Sequence, residues 1–121
     1  MRNCVLALAL AGCFGFVNLP AQEAACLHGA KEKPDQRERR TAALEYAQQL
    51  NKFEAAGKSQ AQRFYAIEDL PGLPPLPKGF KAAIATDGAS YTFSIKDTLD
   101  ACHFAYFSDQ DGLIYTATPV K

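Results

Sequence analysis

From Phe80 to Lys96 the chain alternates. Phe80, Ala82 and Ile84 interleave with Lys81, Ala83 and Ala85, and Tyr91, Phe93 and Ile95 interleave with Ser90, Thr92, Ser94 and Lys96. A period of two belongs to a strand with one buried face, so strands are expected over about 80–86 and 90–96. Asp87-Gly88 between them has the composition of a two-residue type I′ turn. With that turn Thr86 faces Ala89, Ile84 faces Tyr91, Ala82 faces Phe93 and Phe80 faces Ile95. The apolar residues then share one face, which a one-residue slip would destroy. Two more strands, about 103–107 and 113–117, are expected around the turn from Ser108 to Gly112. The third strand is apolar on both faces, with Phe104 and Tyr106 pointing one way and Ala105 and Phe107 the other. It is either central and covered on both sides, or partly a contact surface.

Before these strands the period changes. Ala43, Tyr46, Ala47, Leu50 and Phe53 recur at steps of three and four, one stripe of a 3.6-residue period. Pro34 and the pair Asp35 and Glu38 form a start signal, and Gly57 a stop signal, so a helix is expected over about 36–56. At 1.5 Å per residue it is roughly 30 Å long and has to cover the whole sheet. The expected fold class is therefore α+β: one long N-terminal helix packed on a four-stranded antiparallel meander sheet. Arg37, Glu38, Glu45, Gln48 and Lys52, with Arg39 and Arg40 crowded near the start, read as a solvated helix face. Phe64, Tyr65, Ile67 and Leu70 read as a short extended piece leading into a turn of helix. Pro71, Pro74, Pro75 and Pro77 make 71–77 an extended connector, a stiff strap across the sheet edge with Leu73 and Leu76 tucked in.

Composition places the chain among small globular domains: 121 residues, 48% hydrophobic and 21% charged. Net charge is zero and the pI is about 6.7, which argues against nucleic acid as a partner and against anionic lipid surfaces. Arg2 followed by the uncharged run Cys4 to Val17 has the form of an export signal, and the run is short for a membrane span. Cleavage after Ala21 gives a signal peptide over 1–21, a leader over 22–34 and a domain over 35–121. The expected address is periplasmic or secreted. Leu10-Ala11-Gly12-Cys13 also matches a lipobox; a membrane partner, as a lipid-anchored protein, follows only if Cys13 is acylated. After cleavage at Ala21 two cysteines remain in an oxidising compartment, and Cys26 and Cys102 are expected to form a disulfide.

Candidate chemistry adds little. Cys26-x-His28 and Cys102-His103 lack the spacings of zinc sites, and adjacent strand side chains point to opposite faces. His103 is expected at a strand edge. Asp109-x-Asp111-Gly112, with Asp97 and Asp100 in the neighbouring turn, is a weak calcium candidate that Leu113 interrupts; a hairpin turn explains the same letters. No GxSxG, HExxH, phosphate-loop or GxGxxG pattern is present, so neither a catalytic residue nor a cofactor is expected. The alternative function is a small calcium- or ligand-binding periplasmic protein.

Phe107-Ser108-Asp109-Gln110-Asp111-Gly112-Leu113-Ile114-Tyr115 is similar to the aromatic-Ser-Asp-x-x-Gly-x-Ile ending of many pseudopilin-like proteins. Ala42 to Gln62 loosely resembles their helix. The whole order of helix, connector and antiparallel meander resembles the globular part of type IV pilins and type II secretion pseudopilins, over roughly 35–115. Those proteins carry a Gly-Phe processing site followed by a long apolar assembly helix. Here Gly15-Phe16 ends the apolar run, and Asn18 and Pro20 follow. The resemblance implies a pilin-like domain without the assembly helix, a non-enzymatic module that binds other exported or envelope proteins. Phe104, Tyr106, Phe107 and Tyr115 are the residues expected to form its interaction surface.

Overall fold

The apolar stripe forms α1, Pro34–Ala61, in the computed structural model, which describes residues 26–117. The expected signal peptide, Cys13 and Gly15-Phe16 lie outside the described residues, as do 118–121. The helix belongs to the interior of the sequence rather than its N-terminus, and it overruns both expected ends. Pro34 occupies the first turn, where its missing N–H costs nothing, and Lys33 takes the N-cap position without a side-chain cap bond. Asp35 therefore does not cap the helix; its carboxylate accepts a hydrogen bond from the Gln36 side chain. Gly57 does not stop it either. A Cβ there would stand 2.7 Å from the ring of Tyr65, so the missing side chain makes room for that ring. The helix ends instead at Gln62, which adopts the left-handed conformation at φ 58°.

The returning chain is pinned by the Phe64 N–H, which donates to the Gly88 carbonyl, and the Tyr65 N–H, which donates to Glu54 Oε2. A single 3-10 turn follows at Ile67–Asp69. The proline-rich strap has no regular structure over 73–77, and Leu73 and Leu76 pack against the core.

Four strands form one open antiparallel sheet in the order β1-β2-β3-β4: Phe80–Thr86, Tyr91–Asp97, Ala105–Asp109 and Tyr115–Ala117. The fold is α+β, with α1 packed on the sheet mainly over β3. The β1–β2 register differs from expectation by two residues. Thr86 pairs with Tyr91, Ile84 with Phe93, Ala82 with Ile95 and Phe80 with Asp97. The connection is thus Asp87 to Ser90, held by side chains: Asp87 Oδ1 accepts from the amides of Ala89 and Ser90, and Thr86 Oγ1 accepts from the Gly88 amide and donates to the Ser90 carbonyl. A shift of two keeps every side chain on its face, so the apolar set still lies together.

The last two strands start later than expected. Asp100 binds the amides of Cys102 and Phe104, His103 sits at φ 54°, and pairing begins at Ala105. Likewise Asn51 holds the Gly112 carbonyl and Ser108 the Leu113 carbonyl, which delays β4 to Tyr115. Between helix and sheet lies a core built on Ala43, Tyr46, Ala47, Leu50, Phe80, Tyr91, Phe93, Ile95, Phe104 and Tyr106.

Candidate functional site

The sheet has one face under the helix and one face open. Strand alternation and the observed register set out the open face in rows running across the strands. Lys81, Lys96, Ala105 and Ala117 form one row, Ala83, Ser94, Phe107 and Tyr115 the next, and Ala85, Thr92 and Asp109 a third. Small side chains from β1 and β2 thus lie beside an aromatic pair from β3 and β4. Phe107 is 41% and Tyr115 55% exposed, and the two are directly paired. Together they bound an open depression of ≈ 490 Å³ lined also by Ala83, Thr92, Ser94 and Asp109.

The residues expected to form one surface are divided between the two faces. Phe104 and Tyr106 lie in the core, a correction that follows from the alternation of β3 once its neighbouring face is covered by α1. The Phe104 ring packs 4.8 Å from the His28 ring, and the Tyr106 hydroxyl donates to the Arg40 carbonyl. Phe107 and Tyr115 alone are brought together on the open face.

A second cluster lies at the end of the sheet near the leader. His28 Nδ1 is 2.7 Å from Glu32 Oε1 and its Nε2 is 2.7 Å from Asp97 Oδ2, with the imidazole and both carboxylates almost wholly buried. Arg39 bonds both oxygens of Asp97 at 3.1 Å, and Arg40 bonds both oxygens of Glu32 at 2.8 and 2.9 Å. These forked pairs are charge-assisted and geometrically specific. Hydrogen bonding from Arg40, and then from His28, outweighs burial and draws the Glu32 carboxyl down to about 2. At Asp97 burial works upward, but bonds from Arg39, His28 and the Leu99 amide hold it below the ordinary carboxylate range. Beside them the disulfide Cys26–Cys102, Cα–Cα 5.3 Å, ties the leader to the β2–β3 loop, and the Leu27 amide donates to Asp100 Oδ1.

Arg39 and Arg40, expected in solvent, therefore turn inward. Every group of this cluster is paired within the chain, and it works as a clamp rather than an open site. The four acidic residues weighed for calcium do not converge. Asp97 and Asp100 are committed to the clamp and the β2–β3 loop, while Asp109 caps its own turn through the Asp111 amide at the other end of β3. Among the described residues no three His, Cys, Asp or Glu side chains are grouped to hold a metal ion. His103, in the β2–β3 turn at positive φ, joins neither cluster.

No known protein family, curated protein or solved structure matches the chain. Among the described residues, no helix is long and apolar enough to cross a membrane.

One buried group belongs to neither place. Glu54 is wholly buried, its Oε1 has no hydrogen-bond partner among the described residues, and burial raises its pKa against the opposing bond from the Tyr65 amide. Its charge contributes to pushing the Tyr91 hydroxyl up to about 12, after the larger effect of burial. Helical spacing was the signal for these residues: Arg39 and Glu54 each stand four positions beyond the apolar stripe, at Ala43 and Leu50.

Proposed function

We propose that this chain is an exported, non-enzymatic protein-interaction module whose working surface is the open sheet face around Phe107 and Tyr115. The observation that carries this reading is the direct pairing of two exposed aromatic residues beside a floor of alanine, serine and threonine. Aromatic side chains supply much contact area with few rotatable bonds, and small neighbours let a partner approach the sheet closely. The histidine and carboxylates of the clamp are saturated by internal partners, which supports a binding role over a catalytic one. Export is supported by the charge and apolar pattern of residues 1–21 and by the disulfide, which belongs to an oxidising compartment. The likeness of 107–115 to the pseudopilin ending makes other envelope or exported proteins the expected partners.

The test is co-purification from cell envelopes with Phe107→Ala and Tyr115→Ala. Each side chain is about half exposed, so truncation leaves the circular dichroism spectrum native and lowers the melting temperature only slightly, while recovery of the partner falls about ten-fold, the effect of losing one interface anchor. Unchanged recovery would overturn the assignment of this face.

A further inference from the structure

β1 is an edge strand of the sheet: it presents seven residues, Phe80–Thr86, and among the described residues its one strand partner is β2. Which backbone groups β1 leaves free follows from its neighbour. The Asp97 amide donates across to the Phe104 carbonyl, on the side away from β1. Its partner Phe80 then also faces away from the ladder, and alternation turns the amides and carbonyls of Ala82, Ile84 and Thr86 outward with it. Among the described residues those outward groups of Ala82, Ile84 and Thr86 have no backbone partner, while the Phe80 amide is taken by the Pro77 carbonyl.

Exposed edges usually carry a proline, several charges, a bulge or a short strand, or lie under a loop, because a row of free N–H and C=O groups is a template for another strand. Within the strand β1 has only Lys81, and the connector that joins its two ends, from Phe64 at Gly88 to Pro77 at Phe80, turns Leu73 and Leu76 toward the core and makes no backbone bond to Ala82, Ile84 or Thr86. Its sequence is also complementary to itself. Placed antiparallel to a second copy about a two-fold axis at Ala83, the strand brings Ala82 opposite Ile84, Lys81 opposite Ala85 and Phe80 opposite Thr86. Each pair sets a larger residue against a smaller one, and the only charge meets an alanine rather than another lysine. In that register Ala82 and Ile84 are the outward-facing residues, so each exchanges both backbone bonds with its counterpart.

We propose that β1 is a homodimerisation edge, joining two copies into one continuous antiparallel sheet across Ala83. The contact is isologous and closes on itself, so it gives a dimer and not a filament. It goes beyond the interaction reading above and is independent of it, because Phe107 and Tyr115 lie on β3 and β4 and stay open in the dimer.

Sedimentation velocity over a range of concentrations tests it on the chain as produced by its cells. The unaltered protein is expected to show a concentration-dependent dimer. Ala82→Pro removes one outward N–H without touching a bond to β2, so a native spectrum with a monomeric boundary is expected. Ala85→Glu puts a carboxylate opposite Lys81 of the other copy, and Ala85→Lys puts a like charge there. Two symmetric pairs acting together should strengthen and weaken the dimer by about five-fold respectively at low salt. The Ala85 variants serve as well should Ala82→Pro not fold. A monomer at all concentrations, including one whose edge is taken by a strand of a different protein, overturns the proposal, as does a dimer indifferent to both Ala85 changes. Loss of partner recovery on Phe107→Ala with the dimer intact bears only on the open face.

Discussion

Gly57 lies where local chemistry and packing disagree. By propensity, alanine inside a helix is better than glycine by about 1 kcal/mol. In this fold the new methyl would meet the Tyr65 ring at 2.7 Å, and forcing extra carbon into a packed site costs about 1–3 kcal/mol. Gly57→Ala is therefore expected to lower the urea midpoint despite improving the helix; a raised midpoint would show that the ring moves aside freely. Glu54 gives a prediction of the opposite sign. Burial raises its folded pKa above the ordinary value of 4.5, so between those values the folded state holds the extra proton and stability declines as pH rises. Glu54→Gln removes that decline while keeping an oxygen for the Tyr65 amide. The variant should be the more stable at pH 7, with the gap closing toward pH 4, where Glu54 is protonated in folded and unfolded chains alike. An equal gap at both pH values, measured by denaturant titration, would assign the effect to packing instead of charge.

The elements differ in how far local sequence could define them. Residues 26–33 hold to the body through Glu32 and His28, and this too has a pH signature. Glu32 has a folded pKa drawn down to about 2, so its contribution is complete above the ordinary 4.5 and is lost as pH falls from there toward 2. Glu32→Gln should flatten the acid limb of the stability curve over that window; a curve parallel to that of the unaltered protein would remove Glu32 as its cause. The pairings of this clamp were not legible beforehand, since Asp97 lies 58 residues from Arg39 and 69 from His28; helical spacing marked only that Arg39 faces inward. The strands were legible in existence and in face, because period two survives a register shift of two. Their register was not, because Thr86 and Asp87 hold a longer connection than the Asp-Gly pair suggests. The same alternation that placed Phe107 outward put Phe104 and Tyr106 on the opposite face. What it lacked was which face α1 would cover. Arg39 and Glu54 fall on the helical stripe but carry charge, and a hydrophobic pattern passes over such positions although their partners bury them.

For the molecule as a whole, the disulfide and the clamp hold the leader at adjacent points. Cys26 and Cys102 are 76 residues apart, and closing such a loop in the unfolded chain is worth about 4 kcal/mol by loop entropy. That is a large share of the roughly 5–15 kcal/mol that keeps a domain folded. The clamp, in contrast, acts in the folded state and depends on ionised Glu32 and Asp97, both with depressed pKa values. The two supports therefore fail under different conditions, and losing one should expose the other. A Cys26→Ser, Cys102→Ser double variant is expected to fold at pH 7 with a melting temperature lower by tens of degrees at most, its leader still docked by His28, Glu32 and the Asp100 bond to the Leu27 amide. On acidification it should unfold at a pH above that of the disulfide-bonded chain, because each carboxylate that takes up a proton removes stability from a smaller reserve. Circular dichroism melts of both proteins from pH 7 to pH 3 read this directly, with exchange of the Leu27 amide reporting the leader alone. Parallel curves differing by a constant offset support additive action of bridge and clamp. An acid midpoint shared by both proteins would mean that the bridge contributes nothing once the ion pairs are in place.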